Sequence, residues 1–127
     1  MMIDYRSIKP EEPRMEWEED CVHIHLNGRA RGRIWADPET AEILRLDDGI
    51  TGMVDITVPS KRQREWSALY LTVERADTSI RYQRVQFKDP DETLLLPVNI
   101  DELTVIRGNG TQRTRIVHTF RNYRRFV

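Results

Sequence analysis

The chain has 127 residues and a mass of 15.1 kDa, which is the size of a single domain. Twenty basic and twenty-one acidic residues leave a formal net charge of −1, so overall charge draws the protein neither to nucleic acid nor to a membrane surface. The single cysteine, Cys21, excludes an intramolecular disulfide and a cysteine-rich zinc site. No apolar run approaches the ~18 residues that a membrane-spanning helix needs.

Charge is unevenly distributed along the chain. Residues 1–20 form an acidic N-terminal segment with seven acids and three bases, and they lack the basic start and apolar stretch of a signal peptide. Residues 107–127 hold six arginines and no acid. We interpret the two ends as solvated faces that balance each other; the sharper alternative is a basic strip for phosphate or lipid head groups.

Strand signals are regular, whereas helical periodicity is weak throughout. Val22, Ile24 and Leu26 alternate with polar residues, and Asn27-Gly28 supplies a turn after them. In chain order, the predicted strands cover about 21–26, 29–36, 43–46, 52–58, 69–73, 80–87, 93–107 and 112–126. Residues 60–67 are predicted as a polar loop or a loosely paired edge, and 76–78 as a turn. Pro97 is predicted to bend or interrupt its strand.

Short turns between successive strands require antiparallel neighbours. The sequence therefore predicts one all-β domain over residues 1–127: an antiparallel up-and-down meander of about eight strands, with little or no helix, strongly curved into a half-barrel or an open barrel. A small closed barrel and a sandwich with the same strand order stay open as alternatives. The outward face is expected to be rich in arginine, at Arg31, Arg33, Arg81, Arg84, Arg113 and Arg115. The apolar concave side then requires a cover, which is a ligand, a partner or residues outside this chain.

Three stretches, in this order, carry a family resemblance. They are Gly32-Arg33-Ile34-Trp35-Ala36-Asp37-Pro38-Glu39-Thr40 with Ile43-Leu44-Arg45-Leu46, then Leu94-Leu95-Leu96-Pro97-Val98, then Thr119-Phe120-Arg121-Asn122-Tyr123-Arg124-Arg125-Phe126. Over residues 28–126 the chain resembles uncharacterised bacterial secreted proteins related to the outer-membrane lipoprotein carrier and receptor family. The resemblance implies a curved antiparallel half-barrel, plugged by helices, whose apolar cavity receives lipid chains. It implies no catalytic residues and a periplasmic or secreted location, and this chain would then be the C-terminal part of a longer family domain.

Within these stretches, individual residues are expected to have structural roles. Trp35 and Leu44 are predicted to meet across a hairpin. Asp37 is predicted to accept backbone hydrogen bonds in its turn. Tyr123 is predicted to bond through its hydroxyl at the rim of the sheet.

The first functional hypothesis is a non-catalytic domain that binds an apolar ligand, such as a lipid or an acylated protein, outside the cytoplasm. The candidate lining is one apolar face of the strands: Val22, Ile24, Leu26, Leu69, Leu71, Val73, Leu94 and Leu96. The same residues would form an ordinary core if the sheet closed on itself. Neither a cofactor nor an enzymatic activity is predicted, and a cytoplasmic location stays open because the chain shows no signal peptide.

The second hypothesis is a protein-interaction module whose exposed strand edges pair with a partner or with another copy in a homodimer. A third, a metal or enzyme site, rests on Cys21, His23 and His25, which alternation places on one strand face, with His118 or an acid as a further ligand. That set lacks a closed four-ligand motif, so no metal is assigned. The near-neutral charge and the acidic N-terminus count against a nucleic-acid surface on the basic C-terminal strand.

Overall fold

The computed structural model describes residues 1–19 and 21–126, and it confirms an antiparallel β fold with little helix. Nine strands and one helix lie in the described part of the chain. The strands are β1 (Met2–Arg6), β2 (Arg14–Glu18), β3 (Cys21–His25), β4 (Ala30–Ala36), β5 (Ile43–Ile50), β6 (Val54–Thr57), β7 (Tyr70–Phe87), β8 (Glu92–Gly108) and β9 (Gly110–Thr119). The helix, α1 (Ser60–Trp66), lies between β6 and β7.

The main sheet has six strands in the order β1-β4-β5-β7-β8-β9, and β6 pairs with the start of β7. Each of these pairs is antiparallel. β2 and β3 form a separate two-stranded hairpin that is inserted between β1 and β4 in the chain. Among the described residues β1 pairs only with β4 and β9 only with β8, so the sheet is open, as the half-barrel prediction requires.

β7 and β8, of 18 and 17 residues, form the longest ladder of the sheet. β7 continues as strand through Ala76-Asp77-Thr78, so the turn predicted there is wrong. β5 and β8 pair with β7 on its two sides at Thr78, and hydrogen bonding on both edges overrides local turn propensity. β8 runs unbroken through Pro97, so this proline does not interrupt its strand; a register shift where β7 meets Pro97 marks a local irregularity in the pairing.

Two segments form structure that the sequence did not predict. The acidic N-terminal segment contains β1 and β2, which pair with β4 and β3. Helix α1 replaces the predicted loop; it buries none of its residues and has no side-chain cap bond at Pro59, so its local signal is weak. Trp66 meets Trp17 edge to face with ring centroids 6.0 Å apart, and this contact joins α1 to the β2–β3 hairpin. Neither α1 nor any other described segment is a helix long and apolar enough to cross a membrane.

β9 ends at Thr119, so the last strand is shorter than the predicted strand over residues 112–126. Asn122 takes a left-handed backbone conformation with φ of 58°, which ends extended pairing. Tyr123 donates its hydroxyl hydrogen to a carbonyl of β8, which confirms its role at the rim. Arg125 Nη1 lies 2.8 Å from Glu92 Oε2, so the segment after β9 folds back onto the tip of the β7–β8 hairpin.

The turn after β4 follows the sequence prediction in part. Asp37 Oδ1 accepts the backbone N–H of Glu39 at 2.8 Å, which confirms its role in the turn. A register shift at the end of β4 places Arg45 opposite Trp35. The predicted pairing of Trp35 with Leu44 is therefore wrong, because the extra residue in β5 moves Leu44 out of register.

The core is small and lies at one end of the sheet. Val54, Ile56 and Val73 form its buried centre. Side chains from the β2–β3 hairpin and its end pack against this centre, namely Met15, Ile24 and Leu26. The buried hydrophobic residues of the described chain are Ala36, Val54, Ile56, Val58, Leu71, Val73 and Val105. Most of the six-stranded sheet therefore extends beyond the core, with its apolar side chains only partly covered.

Truncating Ile56 to alanine is expected to lower the free energy of unfolding by about 2–4 kcal/mol, because this side chain is 3% exposed in the centre of the core. The measurement is urea unfolding followed by circular dichroism. Met53→Ala, in the turn before β6 and 67% exposed, is the control and should change the free energy by less than about 0.5 kcal/mol. A loss at Ile56 no larger than the loss at Met53 would contradict this assignment of the core.

Candidate functional site

Strand alternation gives the main sheet two chemically different faces. One set of positions, paired from strand to strand across the sheet, is charged or polar: Asp4, Arg33, Asp47, Ser79 and Asp101. The set beside it points to the opposite face and is apolar: Ile3, Ile34, Leu46, Ile80 and Ile100. We call the face of the first set the charged face and the second set the apolar row.

An open trough of about 910 Å³ lies on the charged face. The residues that line this charged trough include Asp4, Arg6, Arg31, Arg33, Trp35, Asp47, Gly49, Arg75, Asp77, Ser79, Asp101, Leu103, Arg113 and Arg115. Because they come from all six strands of the main sheet, the sheet curves around this face. The concave ligand surface was expected on the apolar side from the sequence, whereas this trough lies on the arginine-rich side. A second hollow of about 1020 Å³ shares Ser79 and Asp101 with the trough and extends it toward the C-terminal segment.

Four aspartates on the charged face are each paired with one arginine. The pairs are Asp4 with Arg33 at 2.6 Å, Asp47 with Arg45 at 3.0 Å, Asp77 with Arg75 at 2.6 Å, and Asp101 with Arg115 at 2.7 Å. Arg33, Arg45 and Arg115 present Nε and Nη2 to the two carboxylate oxygens, which is the bidentate geometry. The Arg45–Asp47 pair is partly buried and the other three are exposed. The exposed pairs contribute little to stability, but all four fix the direction of the side chains along the trough.

Trp35 lies against two of these guanidinium groups. Arg45 Cζ is 4.7 Å from the centre of the indole, and Arg33 Cζ is 5.9 Å from it. Cation–π contacts and ion pairs thus form one network across β4 and β5. Trp35 was predicted only to pack within its hairpin. Its alternation with Arg31 and Arg33 on one strand is the sequence signal that places it on the same face as these arginines, in the trough.

The pKa values of three trough aspartates, Asp4, Asp47 and Asp101, are lowered by their arginine partners. A hydrogen bond from Arg33 lowers the pKa of Asp4 below the usual aspartate value. Burial by itself would raise the pKa of Asp47. Hydrogen bonds from Arg45 and Ser79 outweigh burial, and the net pKa of that carboxyl is lowered.

Tyr5 makes a contact that joins three strands. Its hydroxyl donates to Asp48 Oδ2 on β5 and passes over Gly32 of β4. A Cβ at Gly32 would collide with that hydroxyl, so this glycine is required by close approach. Burial, together with the hydrogen bond to Asp48, raises the pKa of Tyr5 to about 12.

The apolar row remains partly exposed to solvent. Ile3 is 45% exposed, and Ile34, Leu46, Ile80 and Ile100 are each only partly buried. Ile43 and Leu44, on the same strand as Leu46, are also each 40% exposed. The β2–β3 hairpin packs on the β6 end of β7, so the core it covers does not reach the row.

Four of the eight predicted lining residues meet in the core. Ile24 and Leu26 pack against it from the β2–β3 hairpin. Leu71 and Val73, on β7, are 4% and 2% exposed. These four residues therefore contribute to packing, and their contact with a ligand stays a prediction.

The other four predicted lining residues lie apart from one another. Val22 is on β3 and pairs with Trp17. Leu69 is 60% exposed before the start of β7, and Leu94 and Leu96 lie at the far end of β8. None of the eight lines the charged trough. Their contact with a ligand stays a prediction.

The proposed metal ligands Cys21, His23 and His25 lie together on β3, as predicted. His25 Nε2 is 3.1 Å from Glu16 Oε2 on the neighbouring strand. His118, the further ligand considered, lies on β9 of the main sheet. In the described part of the chain no group of three or more His, Cys, Asp and Glu side chains is arranged to hold a metal ion.

No protein-family model, curated protein or solved structure matches the chain. The likeness to lipoprotein carriers therefore rests on the three sequence stretches quoted above. The function has to be inferred from the charged trough and the apolar row themselves.

Replacing Asp47 with asparagine is expected to flatten the acid dependence of stability. A carboxyl whose pKa is lowered in the folded state contributes stability above its unfolded pKa, and the contribution is lost as the pH falls through the folded pKa. The melting temperature of the wild type should therefore fall more steeply than that of Asp47→Asn between about pH 5 and pH 2. Asp91→Asn, at an exposed turn, is the control and should follow the wild type. Parallel curves for the wild type and Asp47→Asn would contradict the assigned role.

Tyrosinate absorbance is expected to show a component that titrates near pH 12 and is lost in Tyr5→Phe. Because the folded-state pKa of Tyr5 is raised, the linked stability is complete below the unfolded pKa and is lost as the pH rises through about 12. Tyr70→Phe, at a residue 61% exposed, is the control and should retain that component. An alkaline titration that is the same with and without the Tyr5 hydroxyl would rule out the buried contact.

Proposed function

We propose that this protein is a non-catalytic β-sheet interaction module that binds a second copy of itself through the apolar row. The observation that carries the proposal is its accessible surface of 9753 Å². A compact monomer of 15.1 kDa is expected to expose about 7,100 Å². The chain therefore exposes roughly 2,700 Å² more than a protein of its mass needs to.

The surplus is of the size that homodimers bury. Obligate homodimers bury about 2,000–5,000 Å² in total, or about 1,000–2,500 Å² per protomer. Burying roughly half of the surplus would give each copy an interface within that range. The apolar row and its exposed neighbours supply the apolar centre that such interfaces require.

Face-to-face stacking is the geometry that the apolar row supports. The row crosses five strands, and a twofold axis would present the same side chains of each copy to the other. Sheets packed in this way lie about 10 Å apart with interdigitated side chains. A net charge of −1 per chain opposes the contact only weakly.

An acyl ligand on the apolar face is the alternative that the resemblance to lipoprotein carriers suggests. Small-molecule sites usually enclose about 300–1,000 Å³ and bury most of the ligand. One hollow on the apolar side measures about 190 Å³, and polar residues such as Glu102 and Thr104 line it. An open row of this kind is covered more completely by another protein face than by an acyl chain, which supports the dimer.

Pairing through the edge of β9 is the other route to association. All ten residues of this strand are exposed, and β8 is its only partner among the described strands. Arg113 and Arg115 lie on β9, and charged side chains on an edge strand oppose edge-to-edge pairing. These charges favour the apolar row over the edge as the dimer contact.

Sedimentation velocity over a concentration series is the experiment that tests the proposal. The wild type should form a dimer, and Ile3→Glu should weaken it at least about tenfold, because a charge in the apolar contact loses its hydration. Met2, 62% exposed, neighbours Ile3 and points to the charged face, so Met2→Glu is the matched control.

Three outcomes would overturn the proposal or redirect it. A wild type that stays monomeric at every concentration excludes self-association. Equal weakening by Ile3→Glu and Met2→Glu assigns the contact to the β1 edge instead of the apolar row. In native mass spectrometry without detergent, a monomer carrying a lipid-sized adduct would favour the acyl-ligand alternative.

A further inference from the structure

We infer that one end of the charged trough binds a phosphate monoester group through Arg6 and Arg31. These arginines occupy directly paired positions of β1 and β4, and both line the trough. Both are exposed. Whereas other trough arginines such as Arg33 and Arg115 each hold an aspartate, neither Arg6 nor Arg31 has a carboxylate partner among the described residues.

The pair is electrostatically uncompensated. Like charges on directly opposed strand positions repel each other and weaken the strand pairing. The aspartate closest in sequence to Arg6 is Asp4, and both of its carboxylate oxygens are taken by Arg33. An anion bound between Arg6 and Arg31 would relieve this repulsion.

Space for the anion lies beside Arg31. The next position across the sheet is Gly49, which has no side chain. Asp77 closes the far side of this gap, because its Oδ1 lies 3.0 Å from the point that a Gly49 Cβ would occupy. Arg75 neutralises Asp77 at 2.6 Å, and the anion would bind on the arginine side of the gap. Arg113, which also lines the trough, adds positive charge without a carboxylate partner in the described chain.

Two adjacent guanidinium groups select the chemistry of the ligand. A carboxylate has two oxygens, and a single arginine occupies both, as Arg33 does with Asp4. A phosphate monoester has three terminal oxygens and a charge of about −1.5 to −2 at neutral pH, so it can accept hydrogen bonds from both arginines at once. The site stays accessible when the apolar row is covered, because the two lie on opposite faces of the sheet.

Thermal unfolding of the full chain with inorganic phosphate tests the site. Phosphate at about ten times its Kd should raise the melting temperature by about 5 °C, whereas acetate at equal ionic strength should not. In the double variant Arg6→Gln/Arg31→Gln the phosphate Kd should rise at least about tenfold. Without phosphate this variant should melt no lower than the wild type, because it loses a like-charge repulsion. The double variant Lys61→Gln/Arg64→Gln removes the same number of positive charges from α1, outside the trough, and should keep the full phosphate shift.

Two further experiments distinguish a soluble phosphate monoester from a lipid head group as the source of the phosphate. A shift with glycerol phosphate equal to that with phosphate assigns a soluble monoester. Sedimentation with phosphatidylcholine vesicles that contain phosphatidic acid, lost in the double variant, assigns a lipid head group. An equal shift with acetate, a phosphate shift that the double variant retains, or no response to any phosphate probe overturns the inference. Ile3→Glu should keep the phosphate shift, so failure of the dimer and failure of this site are distinguishable.

Discussion

The β7–β8 ladder is the pairing on which the rest of the sheet depends. These strands, of 18 and 17 residues, are about three times the usual strand length, and they carry β5, β6 and β9 on their outer edges. Their register decides which residues of the neighbouring strands face the trough. A slip of one residue would exchange Ser79 and Ile80 between the faces and place apolar side chains in the charged trough.

Burial of apolar side chains fixes the strand register near β6 and contributes much less to it toward the outer strands β1 and β9. Near β6 the ladder is fixed by Val54 and Val73, which the β2–β3 hairpin covers. Farther out, toward β1 and β9, exposed ion pairs such as Arg115 with Asp101 set side-chain directions and contribute little free energy. The outer part of the sheet is thus the part that the chain itself stabilises least. This is the physical reason to expect that another molecule covers the apolar row.

The two faces support recognition rather than proton transfer. A general acid at neutral pH needs a carboxyl pKa raised toward 7. The pKa values of Asp4 and Asp47 are lowered instead, because arginines donate hydrogen bonds to the charged form and outweigh the burial of Asp47. Carboxylates held in this way serve to position arginines, and the arginines left without a carboxylate are then available to an anionic ligand. This direction of the pKa shifts supports the non-catalytic proposal.

Local patterns were sufficient where alternation and turn chemistry agree, as in the strand at Val22 and the turn at Asp37. Local patterns failed where a remote contact decides the secondary structure. β7 stays extended through Asp77 because β5 and β8 pair with it on both sides. Helix α1 ends at Trp66, which packs against Trp17 of the β2–β3 hairpin. The sequence by itself determined an antiparallel sheet with one arginine-rich and one apolar face, because alternation is a property of each strand; whether that sheet closes was left to the tertiary structure. Only the tertiary structure decided that the charged face curves into a trough and that Arg31 has no carboxylate partner among the residues that the structure describes. Both depend on the register between strands that are far apart in the sequence.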